Sequence, residues 1–150
     1  MDGALLRKGA IAGLVAGAVF VMMEMVLVAT IGGGAMWGPP RMMGAIVLGE
    51  GVLPPPATFD AAVVAVGMMV HFLLSAVLGA VFVALAGKRV DSAAFKLLLG
   101  GLFGLVVYVV NFYGMTALFP WFAMARNGIT IASHIVFGVV IAALLLRKPA

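Results

Sequence analysis

The stretch His71-Phe72-Leu73-Leu74-Ser75-Ala76-Val77-Leu78-Gly79-Ala80-Val81 returns later in the chain as His134-Ile135-Val136-Phe137-Gly138-Val139-Val140-Ile141-Ala142-Ala143-Leu144. In both copies a histidine is followed at i+4 and i+8 by small residues, Ser75 and Gly79 in the first and Gly138 and Ala142 in the second. Such positions share one face of a helix, so each stretch predicts a helix with a small-residue groove that begins at an imidazole. A second pair of segments echoes in the same way: Gly13, Gly17 and Glu24 are matched, at one constant offset, by Gly100, Gly104 and Asn111. Residues seven apart differ by about 20° around a helix, so Glu24 and Asn111 continue their own glycine stripes. The pattern predicts two helical hairpins of similar design, each bringing a polar residue on its first helix near a histidine on its second.

Composition sets the solvent for these helices. Of the 150 residues, 65% are hydrophobic and only 9% are charged, far from the balance of a soluble globular chain. The fold class this predicts is an all-α integral membrane protein, a bundle of four transmembrane helices. The formal net charge of +4 comes without a basic run or aromatic–basic interleaving, so no nucleic-acid partner is expected. Zero cysteines exclude disulfides, thiolate-held iron–sulfur clusters and thiol nucleophiles.

Apolar runs at 9–32, 61–87, 97–118 and 128–146 each meet the length needed to cross a bilayer. The first is too long for the apolar core of a secretory signal and reads as a retained span. Between the spans lie connectors at 33–60, rich in Gly and Pro, and at 119–127. Residues 41–49 are too short to cross and are expected to form an interfacial helix. Trp37, Arg41, Trp121 and Arg126 are placed by sequence at the interface, among headgroups or at the rim of a cavity. The basic residues then set orientation. Arg7, Lys8, Lys88, Arg89, Lys96, Arg147 and Lys148 fall on one side and only Arg41 and Arg126 on the other, which favours cytoplasmic N and C termini.

The blocks Trp37-Gly-Pro-Pro-Arg41-Met42, Leu53-Pro-Pro-Pro-Ala-Thr-Phe-Asp60, Asn111-Phe-Tyr-Gly114 and Phe119-Pro-Trp-Phe122 resemble those of a family of short, uncharacterised four-span bacterial inner-membrane proteins. Some members carry a sodium:proline symporter label, although symporters of that kind are much longer. The resemblance implies architecture and a bacterial inner membrane, and no activity.

Four polar residues carry whatever chemistry the spans hold. Glu24, His71, Asn111 and His134 all lie roughly 9–15 Å in from the connector ends of their helices at the rise of an α-helix. Polar groups at such depth are costly unless paired, so they are expected to face the interior and form one polar cup roofed by the connectors, with Tyr108 and Tyr113 extending it. Contact between Glu24 and a histidine would permit a shared proton. Three uses compete. The residues can be interhelical hydrogen-bond glue. His71 and His134 can hold a b-type haem. Glu24, His71 and His134, with Asn111 as a fourth contact, can form a two-histidine, one-carboxylate site for a transition metal. Met22, Met23, Met25 and Met68 near these positions would suit Cu(I), although methionine is also an ordinary filler of apolar gaps. Ser75 reads as a packing residue, because no acid and base flank it.

The function expected first is that of a small non-catalytic accessory or assembly subunit, in contact with lipid and with other membrane subunits or copies of itself. A haem- or metal-binding redox protein and an oligomeric proton or cation transporter are the alternatives. Phosphate loops and activated nucleophiles, which an enzyme of the hydrolase or motor classes needs, are absent.

Overall fold

The computed structural model describes residues 3–53, 55–86 and 92–146. These residues are almost wholly helical and contain no strand, and four of the helices are long and apolar enough to cross a membrane. We label the helices α1 (Gly3–Thr30), α2 (Gly38–Leu48), α3 (Ala61–Ala86), α4 (Ala93–Val109) and α5 (Gly128–Leu146). A π-helical turn, Val110–Gly114, and two 3-10 turns, Met115–Ala117 and Pro120–Ala125, join α4 to α5.

The helix starts are written in polar residues. Asp60 Oδ1 accepts the backbone N–H groups of Ala62 and Val63, both at 3.0 Å, and so caps α3. Asn127 does the same for α5 through the N–H of Thr130 at 3.1 Å. α1 ends at a glycine run in which Gly33 takes φ +66°, a conformation that L side chains avoid. Arg7 and Lys8, expected just before the first span, lie within the first turns of α1.

Small residues decide which helices touch. Gly13 faces the Ser75 carbonyl and Gly79, while Gly17 faces Ser75 and the His71 ring. In the other pair Gly100 faces the Gly138 carbonyl and Ala142, and Gly104 faces the His134 carbonyl. These contacts repeat under the two sequence offsets, and both pairs run antiparallel. α1 also packs antiparallel to α5, so the spans follow the order α3, α1, α5, α4, and α3 meets α4 little beyond the Phe82–Phe103 ring contact at 5.2 Å. Ala12, Ala16, Phe82, Ile141 and Ala142 fill the half of the bundle near the termini. Between their ends the long helices expose many large apolar side chains, among them Ile11, Leu14, Leu73, Leu85 and Leu102, as a lipid-facing surface requires.

The short connector helix forms, but it begins at Gly38 rather than at residue 41, with Pro39 and Pro40 in its first turn, where the missing N–H groups cost nothing. It lies along α3: Gly67 meets the Pro40 carbonyl and Gly44 meets the Val63 carbonyl. A side chain at Gly67 has no room against that backbone. Gly67→Val is expected to lift α2 off α3 and to expose residues 33–60 to limited proteolysis, whereas Gly51→Ala, where an added Cβ meets nothing within 4 Å, is expected to leave the digestion pattern unchanged.

Candidate functional site

The site is built around the first turn of α5. With Asn127 fixing that turn, the Thr130 hydroxyl points to α1 and donates to Glu24 Oε1 at 2.7 Å. The carbonyl of the same residue lies 2.8 Å from His134 Nδ1. In the other hairpin His71 Nε2 lies 2.9 Å from the Gly17 carbonyl oxygen. A carbonyl can only accept, so at each contact the ring nitrogen carries the hydrogen and donates. Thr130 therefore joins Glu24 to His134 through two different atoms. Ser75 returns its hydroxyl to the His71 carbonyl at 2.8 Å, as a packing residue would.

One cavity lies beneath the connectors and another lies among the mid-span residues of α3, α4 and α5. The larger, about 710 Å³, is lined by Glu24, Asn127 and Thr130 on one side, by apolar groups such as Val28, Met42 and Phe112, and by Arg41. The smaller, about 130 Å³, is lined by His71, Asn111 and His134 together with Ser75, Val107 and Phe137. Phe20 lines both. Its ring stacks on His71 at 5.5 Å and meets His134 edge-on at 4.8 Å.

The single polar cup expected from spacing is thus divided: Glu24 lies on one side of Phe20, and His71, Asn111 and His134 on the other. The proposed metal set does not assemble, and among the described residues no group of three His, Cys, Asp or Glu side chains is placed to hold a metal ion. Glu24 Oε1 is instead engaged by Thr130, and the Phe20 ring packs on both histidines. A haem between the histidines meets two obstacles. His71 Nε2 is committed to a backbone carbonyl, and the space is well below the roughly 300–1,000 Å³ of ordinary small-molecule sites.

The remaining sequence-predicted residues divide in the same way. Tyr108 is buried and packs edge-on against His134 at 5.7 Å. Tyr113 is 55% exposed, lies under the Arg126 guanidinium, 4.4 Å from its ring centroid, and meets the Tyr108 ring edge-on at 6.1 Å, so it continues outward from Tyr108 to a cation–π contact. Arg126 also donates to the Phe112 carbonyl at 2.7 Å, which clamps the π turn. Arg41 donates to the carbonyls of Val52 at 2.8 Å and Thr58 at 2.8 Å and so holds the first connector over the larger cavity. Trp37 packs on Phe59 and Trp121 on Phe119 within the connectors. Met25 and Met68 pack against the core cluster, and Met22 is 68% exposed, so these methionines do not form a copper ladder.

Phe20, Asn127 and Thr130 are site residues the sequence reading passes over. Thr130 carries a signal, since it lies three residues after the capping Asn127 and one turn before His134 on the same face. Phe20 carries none, being one apolar residue within an apolar run.

No protein family, curated protein or solved structure matches this chain.

Proposed function

We propose that the chain is a small non-catalytic membrane protein that binds an apolar or amphiphilic molecule in the larger cavity, acting as an accessory subunit beside other membrane proteins. The observation that carries this reading is the cavity itself: about 710 Å³, largely apolar, and furnished with a few converging polar groups. On the side toward the termini the interior is filled by Ala16, Phe82, Ile141 and Ala142, which favours a dead-ended binding site over a conducting path.

The same reading places the protein in a bacterial inner membrane with cytoplasmic termini. Arg7, Lys8 and Lys96 at the terminal end, against Arg41 and Arg126 at the connector end, support that orientation; Lys88, Arg89, Arg147 and Lys148 lie outside the described residues. The resemblance in the connector blocks supports the bacterial origin. The repeated glycine contacts support descent of the two hairpins from one duplicated unit.

The test is organic extraction and mass spectrometry of the full chain purified in mild detergent, compared with Gly38→Trp. Gly38 lines the cavity, and an added Cβ there meets nothing within 4 Å, so the substitution fills space without a backbone clash. The expected result is a near-stoichiometric molecule in the wild type that is lost from the folded variant. Equal content in the two proteins would defeat the reading.

A further inference from the structure

We propose that the molecule seated in the larger cavity carries a primary ammonium group, held by Glu24, Thr130 and Asn127, with an apolar chain running along the cavity wall. This rests on the reading of that cavity as a binding site.

The argument is an imbalance of donors and acceptors. Glu24 is 5% exposed, and its two carboxylate oxygens differ in circumstance. Oε1 receives the Thr130 hydroxyl, whereas Oε2 is buried without any hydrogen-bond partner. A buried carboxylate oxygen left in this state is costly, and more so at membrane depth. The neighbours do not relieve it. The Thr130 hydroxyl hydrogen is already shared between Glu24 Oε1 at 2.7 Å and the more distant Asn127 Oδ1 at 3.3 Å, which also receives the Thr130 N–H at 3.1 Å, so the hydroxyl has nothing left for Oε2. Arg41, a cation lining the same cavity, has Nε and Nη1 engaged by the Val52 and Thr58 carbonyls and forms no ion pair with Glu24. Glu24 Oε2 is therefore a buried acceptor at the cavity wall that receives no hydrogen from the described residues.

A primary ammonium supplies what is missing, a positive charge with three N–H donors on one small head. A quaternary ammonium supplies the charge but no hydrogens. An anion or a plain ether supplies only further acceptors. Apart from Arg41, the rest of the lining is largely apolar, including Phe20, Val28, Met42, Met43, Leu53 and Phe112, and suits a hydrocarbon chain. A bare hard cation takes roughly six or more oxygen ligands, or keeps its water, and so fits a corner with mainly apolar walls less well. The ammonium can belong to a free amphiphilic amine or to an aminophospholipid headgroup; the chemistry at Glu24 is the same.

The experiment is equilibrium dialysis of deuterated octylammonium, octyltrimethylammonium and octanol against the full chain in phosphatidylcholine nanodiscs, with empty nanodiscs subtracted. The expected result is one equivalent of octylammonium per chain. Binding should be at least tenfold weaker for Glu24→Gln and for the trimethylated probe, and partly restored in Glu24→Asp. Octanol should bind more weakly than octylammonium and be indifferent to Glu24→Gln. Addition of phosphatidylethanolamine to the nanodiscs will compete if the natural source is a lipid headgroup and will not if it is a free amine. The proposal is overturned if folded Glu24→Gln binds octylammonium as the wild type does, if the trimethylated probe binds equally well, or if sodium displaces octylammonium one for one. Octanol binding that disappears in Gly38→Trp would leave the cavity standing even then; absence of octanol binding as well would remove the cavity reading itself.

Discussion

Gly138→Leu is expected to prevent α4 and α5 from docking, with loss of the folded full chain from detergent extracts. The Cβ position at residue 138 coincides with the Gly100 carbonyl and presses on the Gly104 N–H, all of it backbone that cannot rotate away. Overpacking of a well-packed core costs typically about 1–3 kcal/mol, and a clash with backbone lies at or above the top of that range. The helices must separate to make room, and small-residue faces are what bring membrane helices close in the first place. Gly101→Leu is the matched control. One residue from Gly100, its added Cβ would meet only Val139 and Ile135 side-chain atoms at 3.6 and 3.7 Å, ordinary contact distances. Size-exclusion profiles and resistance to SDS unfolding should separate the two substitutions; equal behaviour would mean that the Gly100–Gly138 approach is not what holds this pair.

Thr130→Val carries the second large effect. It keeps the shape of the side chain and removes the one donor to Glu24, which leaves both carboxylate oxygens without a protein partner. Leaving such a group unsatisfied in the interior costs about 1–3 kcal/mol, and more when the group is charged. A cycle with Glu24→Leu, which removes the acceptor, isolates the pair: with the hydrogen bond joining α1 to α5, the double variant is less destabilised than the two single losses added together. Strict additivity in SDS or thermal unfolding would show that the two side chains do not meet.

The contrast between these two predictions follows what the sequence made legible. Gly13, Gly17, Gly100 and Gly104 were readable because small residues at helical spacing have one main use between membrane helices, and they lie against the small-residue faces that begin at His71 and His134. Span positions followed from hydropathy, although α1 extends further toward the N-terminus than its expected start and α4 loosens into a π turn before its expected end. Hydropathy does not say which spans are neighbours, because a leucine against lipid and a leucine in the core look alike. The contact of α1 with α5, which creates the Glu24–Thr130 bond, therefore had no local sign.

The same limit explains the divided cup. Spacing predicts similar depth for Glu24, His71, Asn111 and His134, but similar depth does not exclude a side chain standing among them, and Phe20 packs on both histidine rings. Tyr113, on the π turn, meets both the Tyr108 ring and the Arg126 guanidinium, while Tyr108 is buried against His134; the spacing carries no sign that one of the two would be exposed. The connector helix lies along α3 because Gly44 and Gly67 permit backbone contact, and those glycines are isolated ones in a sequence that has many.

Because the chain has no native cysteine, single substitutions report on one position each. The most direct measurement is labelling of Glu24→Cys and Met22→Cys by a small, membrane-impermeant cationic thiosulfonate applied to the connector side of reconstituted vesicles. If residue 24 faces a cavity open at that end while residue 22 faces lipid, the first variant will be modified and the second will not. Modification at 22 with none at 24, or protection of both, would contradict the account.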